Sequence, residues 1–152
     1  MVWSTSTAKT ECDNFAKACS AYNAMAQIIK LTCTHTGSRQ SEANIETKGK
    51  CWLPSEQEMG LNAFSPSAKE CTKGAAIHMG YKYYENNNKR IKYKINTDGT
   101  LSADAVGYWE RSRFYNTNGY ICYVDKNGGP QYNLYSAEFY LAPAFTIGKV
   151  PA

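Results

Sequence analysis

The run YICYVD, residues 120–125, alternates along its length and flows straight into KNGG, a tight-turn signal. This junction of a period-two segment with a turn constrains the chain more than any other feature, because it marks a strand and where it ends, and GGPQYNLYSAEFY, 128–140, reads as the loop that follows. As a strand, the run sends Tyr120, Cys122 and Val124 to one face and Ile121, Tyr123 and Asp125 to the other. Cys122 and Val124 make a core pair, which leaves Tyr123 and Asp125 outward. Similar alternation predicts strands near Tyr108–Phe114 and Leu141–Ile147, and one through Ile91, Tyr93 and Ile95 that the turn NTDGT closes.

The first third reads differently. Cys12, Phe15, Cys19, Tyr22, Ala26 and Ile29 recur at steps of three and four, which predicts a helix over 5–30 with one apolar stripe. That stripe suits a core-facing seam, or an oligomeric one. The polar, turn-rich segment 34–50 is expected to be a loop. In CWLPSEQEMG, Trp52 and Leu53 form a buried strand end, Pro54 stops it, and Ser55-x-x-Glu58 is a capping box opening a short helix. A second box, Ser67-x-x-Glu70, opens a segment toward Tyr84. Helices first and short strands after give an α+β class, with an N-terminal helix and short helices packed on a small antiparallel sheet.

A chain of 152 residues fits one domain, 1–152. Tyrosine is the compositional outlier: seven of the twelve (Tyr108, Tyr115, Tyr120, Tyr123, Tyr132, Tyr135 and Tyr140) fall in one late segment. The net charge of +4 owes much to Lys82, Lys89, Arg90, Lys92 and Lys94. That excess is modest for a nucleic-acid module, and a solvated strand edge guarded by lysines explains it better. The longest apolar stretch, AMAQIIKL, is too short to span a bilayer, and the first residues lack the pattern of a signal peptide. Six cysteines permit fifteen full pairings, which spacing does not choose among. With no C-x-x-C pair and only His35 beside a cysteine, neither a metal site nor a cofactor is expected.

CWLPSEQEMG, GYKYYENNNKRIK, YWERSRF, YICYVDKNGG and LAPAFTI follow one another in an order that resembles a domain of gut bacteria and their phages. That family is similar to C-type-lectin-like folds and includes the variable proteins of diversity-generating retroelements, in which a C-terminal segment is mutagenised at template adenines. The resemblance covers 51–147 and implies a C-type-lectin-like fold whose region 108–147 is the variable ligand-binding part. It implies a scaffold of Trp52, Leu53, Pro54, Ser55, Glu58, Trp109, Arg111, Ser112, Cys122, Val124, Gly128, Ala142, Pro143 and Phe145. Between these, the ligand-binding positions would be Arg113, Tyr115, Asn116, Thr117, Asn118, Tyr123, Asp125, Gln131, Tyr132, Asn133, Tyr135 and Glu138. Two positions depart from the pattern, Arg113 where a proline commonly stands and Tyr140 where a glycine does.

The mixture of Tyr, Asn, Ser and Gly is the one antibody loops use: rigid rings for contact area, small polar groups for adaptable hydrogen bonds. The expected function is therefore recognition without chemistry, and the resemblance implies display on a phage tail or a bacterial surface with a protein or a cell-surface glycan as partner. The tripeptides of calcium-dependent sugar binding are absent, and neither histidine lies near the tyrosine-rich segment, so an enzyme is not expected. No nucleic-acid or membrane partner is expected either, whereas a homo-oligomer through the 5–30 helix is. The competing class is a pilin-like structural subunit stabilised by disulfides.

Overall fold

The computed structural model describes residues 6–18, 29–33, 45–61, 81–114 and 119–145. Ser6 starts helix α1 (Thr7–Ala18): its hydroxyl accepts from the Lys9 amide at 3.1 Å and its carbonyl from the Thr10 amide at 3.2 Å. Cys12 and Ala16, one turn apart, are buried, whereas Phe15 is 49% exposed. The inward stripe is thus narrower than expected and made of small side chains. A helix reaching Lys30 is not what the chain forms, because Ile29 and Lys30 open strand β1 (Ile29–Cys33), antiparallel to β2 (Ile45–Gly49). In IKLTC the β-branched Ile and Thr favour extended backbone, and pairing from Ile29↔Gly49 to Cys33↔Ile45 overrides the helical periodicity through Ile29. β2 likewise lies within the segment expected to be a loop. Residues 19–28 and the second capping box fall outside the described residues.

The Ser55 box forms as predicted. The Ser55 hydroxyl accepts from the Glu58 amide and a Glu58 carboxylate oxygen accepts from the Ser55 amide, both at 3.1 Å. Only a single turn follows, with the Met59 amide donating to the Ser55 carbonyl at 3.1 Å. Residues 51–59 are buried throughout.

The basic tract folds into two 3₁₀ turns, Lys82–Tyr84 and Asn87–Lys89, and then β3 (Lys92–Ile95), which pairs with β4 (Leu101–Val106) as a two-stranded ribbon. Its arginine is structural. Arg90 donates to the carbonyls of Tyr84 (2.8 Å), Gly128 (3.0 Å) and Met59 (3.4 Å), and to the Asn87 side chain.

The main sheet has four strands, β5 (Tyr108–Arg113), β6 (Tyr120–Val124), β7 (Pro130–Leu134) and β8 (Tyr140–Leu141), in the order β7-β6-β5-β8. The β5–β8 pair is parallel, so the sheet is mixed rather than wholly antiparallel. The expected strand from Leu141 shrinks to these two residues plus a bridge in which Trp52 and Ala144 exchange backbone hydrogen bonds of 3.1 and 2.7 Å. Ile147 is outside the described residues. The α+β class holds. Two apolar clusters support it: Cys12, Ala16, Cys51, Trp52 and Leu53 under α1, and Met59, Tyr84, Tyr108 and Val124 behind the sheet.

Candidate ligand-binding face

Strand pairing decides which of the expected binding residues share a surface. Trp109 lies opposite Tyr123, Tyr123 opposite Gln131, and Ile121 opposite Asn133, so these five occupy one face. Cys122 lies opposite Tyr132, and Tyr120 opposite Leu134, which puts Tyr132 on the reverse face. There its ring stacks on Phe114 with centroids 4.0 Å apart.

On the first face three rings interlock. Tyr123 stacks on Phe139 at 4.1 Å, and Trp109 meets Phe139 edge-on at 4.8 Å and Tyr123 at 6.0 Å. Such arrangements contribute about 0.5–1.5 kcal/mol per pair beyond area burial. Gly107 makes the packing possible: a Cβ there would come within 3.1 Å of the Phe139 ring and 3.3 Å of the Val124 carbonyl.

Beside this cluster lies a cavity of about 360 Å³. The N-terminal end of α1 with the residue before it (Ser6, Thr7, Ala8 and Glu11) walls one side, and Trp109, Ile121, Tyr135, Phe139 and Leu141 wall the other. Its size and aromatic lining suit a small organic group or a protruding side chain. Tyr135, 60% exposed, stands at the rim, its amide held by the Gly119 carbonyl at 2.9 Å. Arg111 also borders the cavity, but its guanidinium is engaged by Glu58 at 2.5 and 2.7 Å and by the Leu53 carbonyl at 2.9 Å.

The other expected positions distribute as follows. Gln131 and Glu138 are exposed, and the Asn133 side-chain oxygen accepts from the Leu134 amide at 2.8 Å. Asp125 builds the turn, its carboxylate accepting from the amides of Asn127 (2.8 Å) and Gly129 (3.0 Å). Arg113 closes β5, and Tyr115, Asn116, Thr117 and Asn118 lie outside the described residues. Sequence reasoning missed Phe139, Ile121, Leu141 and the α1 wall. The available signal was Gly107 immediately before two aromatics, since a glycine opening a strand marks close approach of another group.

A second cavity, about 540 Å³, opens where Trp52, Tyr81, Tyr84 and Phe145 meet Lys82 and Lys92. The Lys92 ammonium donates to the Lys89 carbonyl at 2.7 Å and lies 5.4 Å from the Tyr83 ring centroid, so this lysine sits against an aromatic wall rather than guarding a bare strand edge. Among the described residues no group of three or more His, Cys, Asp or Glu is placed to hold a metal ion, and no helix is long and apolar enough to cross a membrane.

A family model described as a domain of unknown function (DUF6273) matches residues 11–149. No curated protein and no solved structure matches the chain.

Proposed function

We propose that this chain, which belongs to the domain-of-unknown-function family DUF6273, is a ligand-binding module that works by recognition alone. The observation that carries this reading is the Trp109–Tyr123–Phe139 cluster, set beside a 360 Å³ cavity with the exposed phenol of Tyr135 at its rim. Aromatic rings held rigid by one another lose little entropy when a partner docks on them, which is what binding anchors require.

The order of motifs from Cys51 to the AP pair supports a C-type-lectin-like scaffold, and the Tyr/Asn/Gln positions between those motifs support a variable surface. The chain is then a variable protein of a diversity-generating retroelement or an adhesin of a phage tail or bacterial surface. Its partner is a protein or a cell-surface glycan, bound without metal or cofactor.

The test immobilises the full chain and screens it against an array of bacterial cell-surface glycans and a panel of outer-surface proteins. For any partner retained, Tyr135→Ala and Tyr123→Ala are then titrated. At least a tenfold loss of affinity is expected for each, with Tm within a few degrees of wild type for the exposed Tyr135. A partner bound equally well by both variants would place recognition elsewhere on the molecule.

A further inference from the structure

We propose that Cys12 and Cys51 join as a disulfide when the chain folds in an oxidising medium, tying α1 to the turn that carries the capping box. The two residues are far apart in sequence yet lie in one apolar cluster, 0% and 1% exposed, both as thiols. They are neighbours there, with a hydrogen bond between the two side chains, and a disulfide requires such proximity.

The helix needs such a tie. A twelve-residue helix is marginal by itself, and α1 buries chiefly Cys12 and Ala16, two small side chains. One turn before Cys12, Ala8 packs against the same cluster and also lines the 360 Å³ cavity. A covalent link at Cys12 therefore fixes one wall of that cavity. The pairing itself does not depend on what the cavity binds.

The surroundings decide when the bond forms. The hydrogen bond with Cys51, burial and the nearby Asp13 all hold the Cys12 thiol well above the usual thiol range, which suppresses the thiolate that attacks disulfides. Oxidation thus belongs to folding, before the pair is enclosed, and the finished bond is shielded from reductants. With a small disulfide as oxidant, one cysteine thiolate attacks it, forming a mixed disulfide and expelling a thiolate. The second cysteine thiolate then attacks the mixed disulfide and expels the other. Two protein thiols lose two hydrogens in all, and one oxidised glutathione becomes two reduced ones.

The experiment refolds the reduced, denatured full chain in a buffer of oxidised and reduced glutathione, quenches with iodoacetamide and maps the tryptic peptides. The expected dominant crosslink joins the peptide Thr10–Lys17 to the peptide beginning at Cys51, lighter by two hydrogens. The oxidised chain should melt roughly 5–15 °C above the reduced one, since the loop enclosed is several tens of residues long. In Cys12→Ser, Cys51 should become alkylated, and in the double serine variant oxidised and reduced samples should melt together. Cys12 recovered as the alkylated thiol, or joined to Cys19, Cys33, Cys71 or Cys122, would overturn the proposal, and because that readout uses the unmutated chain it stands even if a variant fails to fold.

Discussion

Glu58→Gln isolates what holds the 51–60 turn to the sheet. The Glu58 carboxylate accepts from both terminal guanidinium nitrogens of Arg111 (2.5 and 2.7 Å), the Ser55 amide (3.1 Å), the Trp52 indole (3.4 Å) and the Tyr81 hydroxyl (3.4 Å). The side chains of the ion pair are 0% and 1% exposed. A glutamine keeps the shape and one acceptor oxygen but turns an NH₂ group toward the guanidinium and removes the carboxylate charge that faces it. Breaking a buried pair in this way costs about 3–5 kcal/mol, roughly a fifth or more of the 5–15 kcal/mol typical of a domain. In a chain of this size the loss lowers Tm by roughly 6–20 °C. Urea titration followed by tryptophan fluorescence and far-ultraviolet dichroism gives the number. Arg111→Met added to Glu58→Gln should then recover part of the loss, because the guanidinium charge is gone. A single-variant cost under about 1 kcal/mol, or costs of the two substitutions that simply add, would refute the reasoning.

The two glycines of the NTDGT and KNGG turns separate backbone strain from packing. Gly99 and Gly128 share a φ of +82°, but a Cβ at Gly99 meets nothing within 4 Å whereas one at Gly128 comes within 3.1 Å of the Asn87 carbonyl. Gly99→Ala should cost about 1 kcal/mol and Gly128→Ala at least 1 kcal/mol more, and equal losses in urea titration would mean that the Gly128 contact is not a tight one. At high pH, Tyr84 and Tyr108 should report together. Burial raises both phenols above their ordinary value of 10.0. Their contribution to stability is therefore complete below pH 10 and is lost above it, as the unfolded chain sheds its phenol protons first. Phenolate absorbance and loss of structure should rise in the same transition, which Tyr84→Phe should make shallower. Ionisation of these two residues with the fold intact would contradict the burial argument.

The elements that sequence reading recovered are those whose signal is local and chemically specific. Ser55 and Glu58 satisfy each other's amides within four residues, and the NGG turn dictates where β6 ends. What it missed depends on remote partners. β7 begins on Pro130 and runs through Gln131 and Asn133, which reads as loop. A proline is tolerated because it is the strand's first residue, and β7 exists because β6 offers a register for it. β4 is diluted by Ser102, Ala103 and Asp104 and stands on an exposed ribbon, so no buried face imprints an alternation on it. The binding positions suffered likewise. Whether Tyr132 or its neighbours Gln131 and Asn133 share a face with Tyr123 is a matter of parity, and parity follows from where pairing starts, Val124 with Pro130.

That parity bears on which residues a variable surface could change. Asp125 holds two amides of its own turn, and Tyr132 stacks on Phe114 on the reverse side of the sheet, so substitution at either acts first on the scaffold. Gln131, Tyr135 and Glu138 are exposed, and changes at such positions typically move stability by no more than about 0.5 kcal/mol. Glu58, Arg111 and Ser112 meanwhile tie β5 to the 51–60 turn through buried hydrogen bonds that involve none of these side chains, among them Glu56 N–H to the Ser112 hydroxyl at 2.8 Å. A surface can vary freely only if the bonds that hold it flat lie elsewhere. Here they run between β5 and the 51–60 turn, which leaves the rim of the aromatic face open to change while Trp109 and Phe139 stay in place.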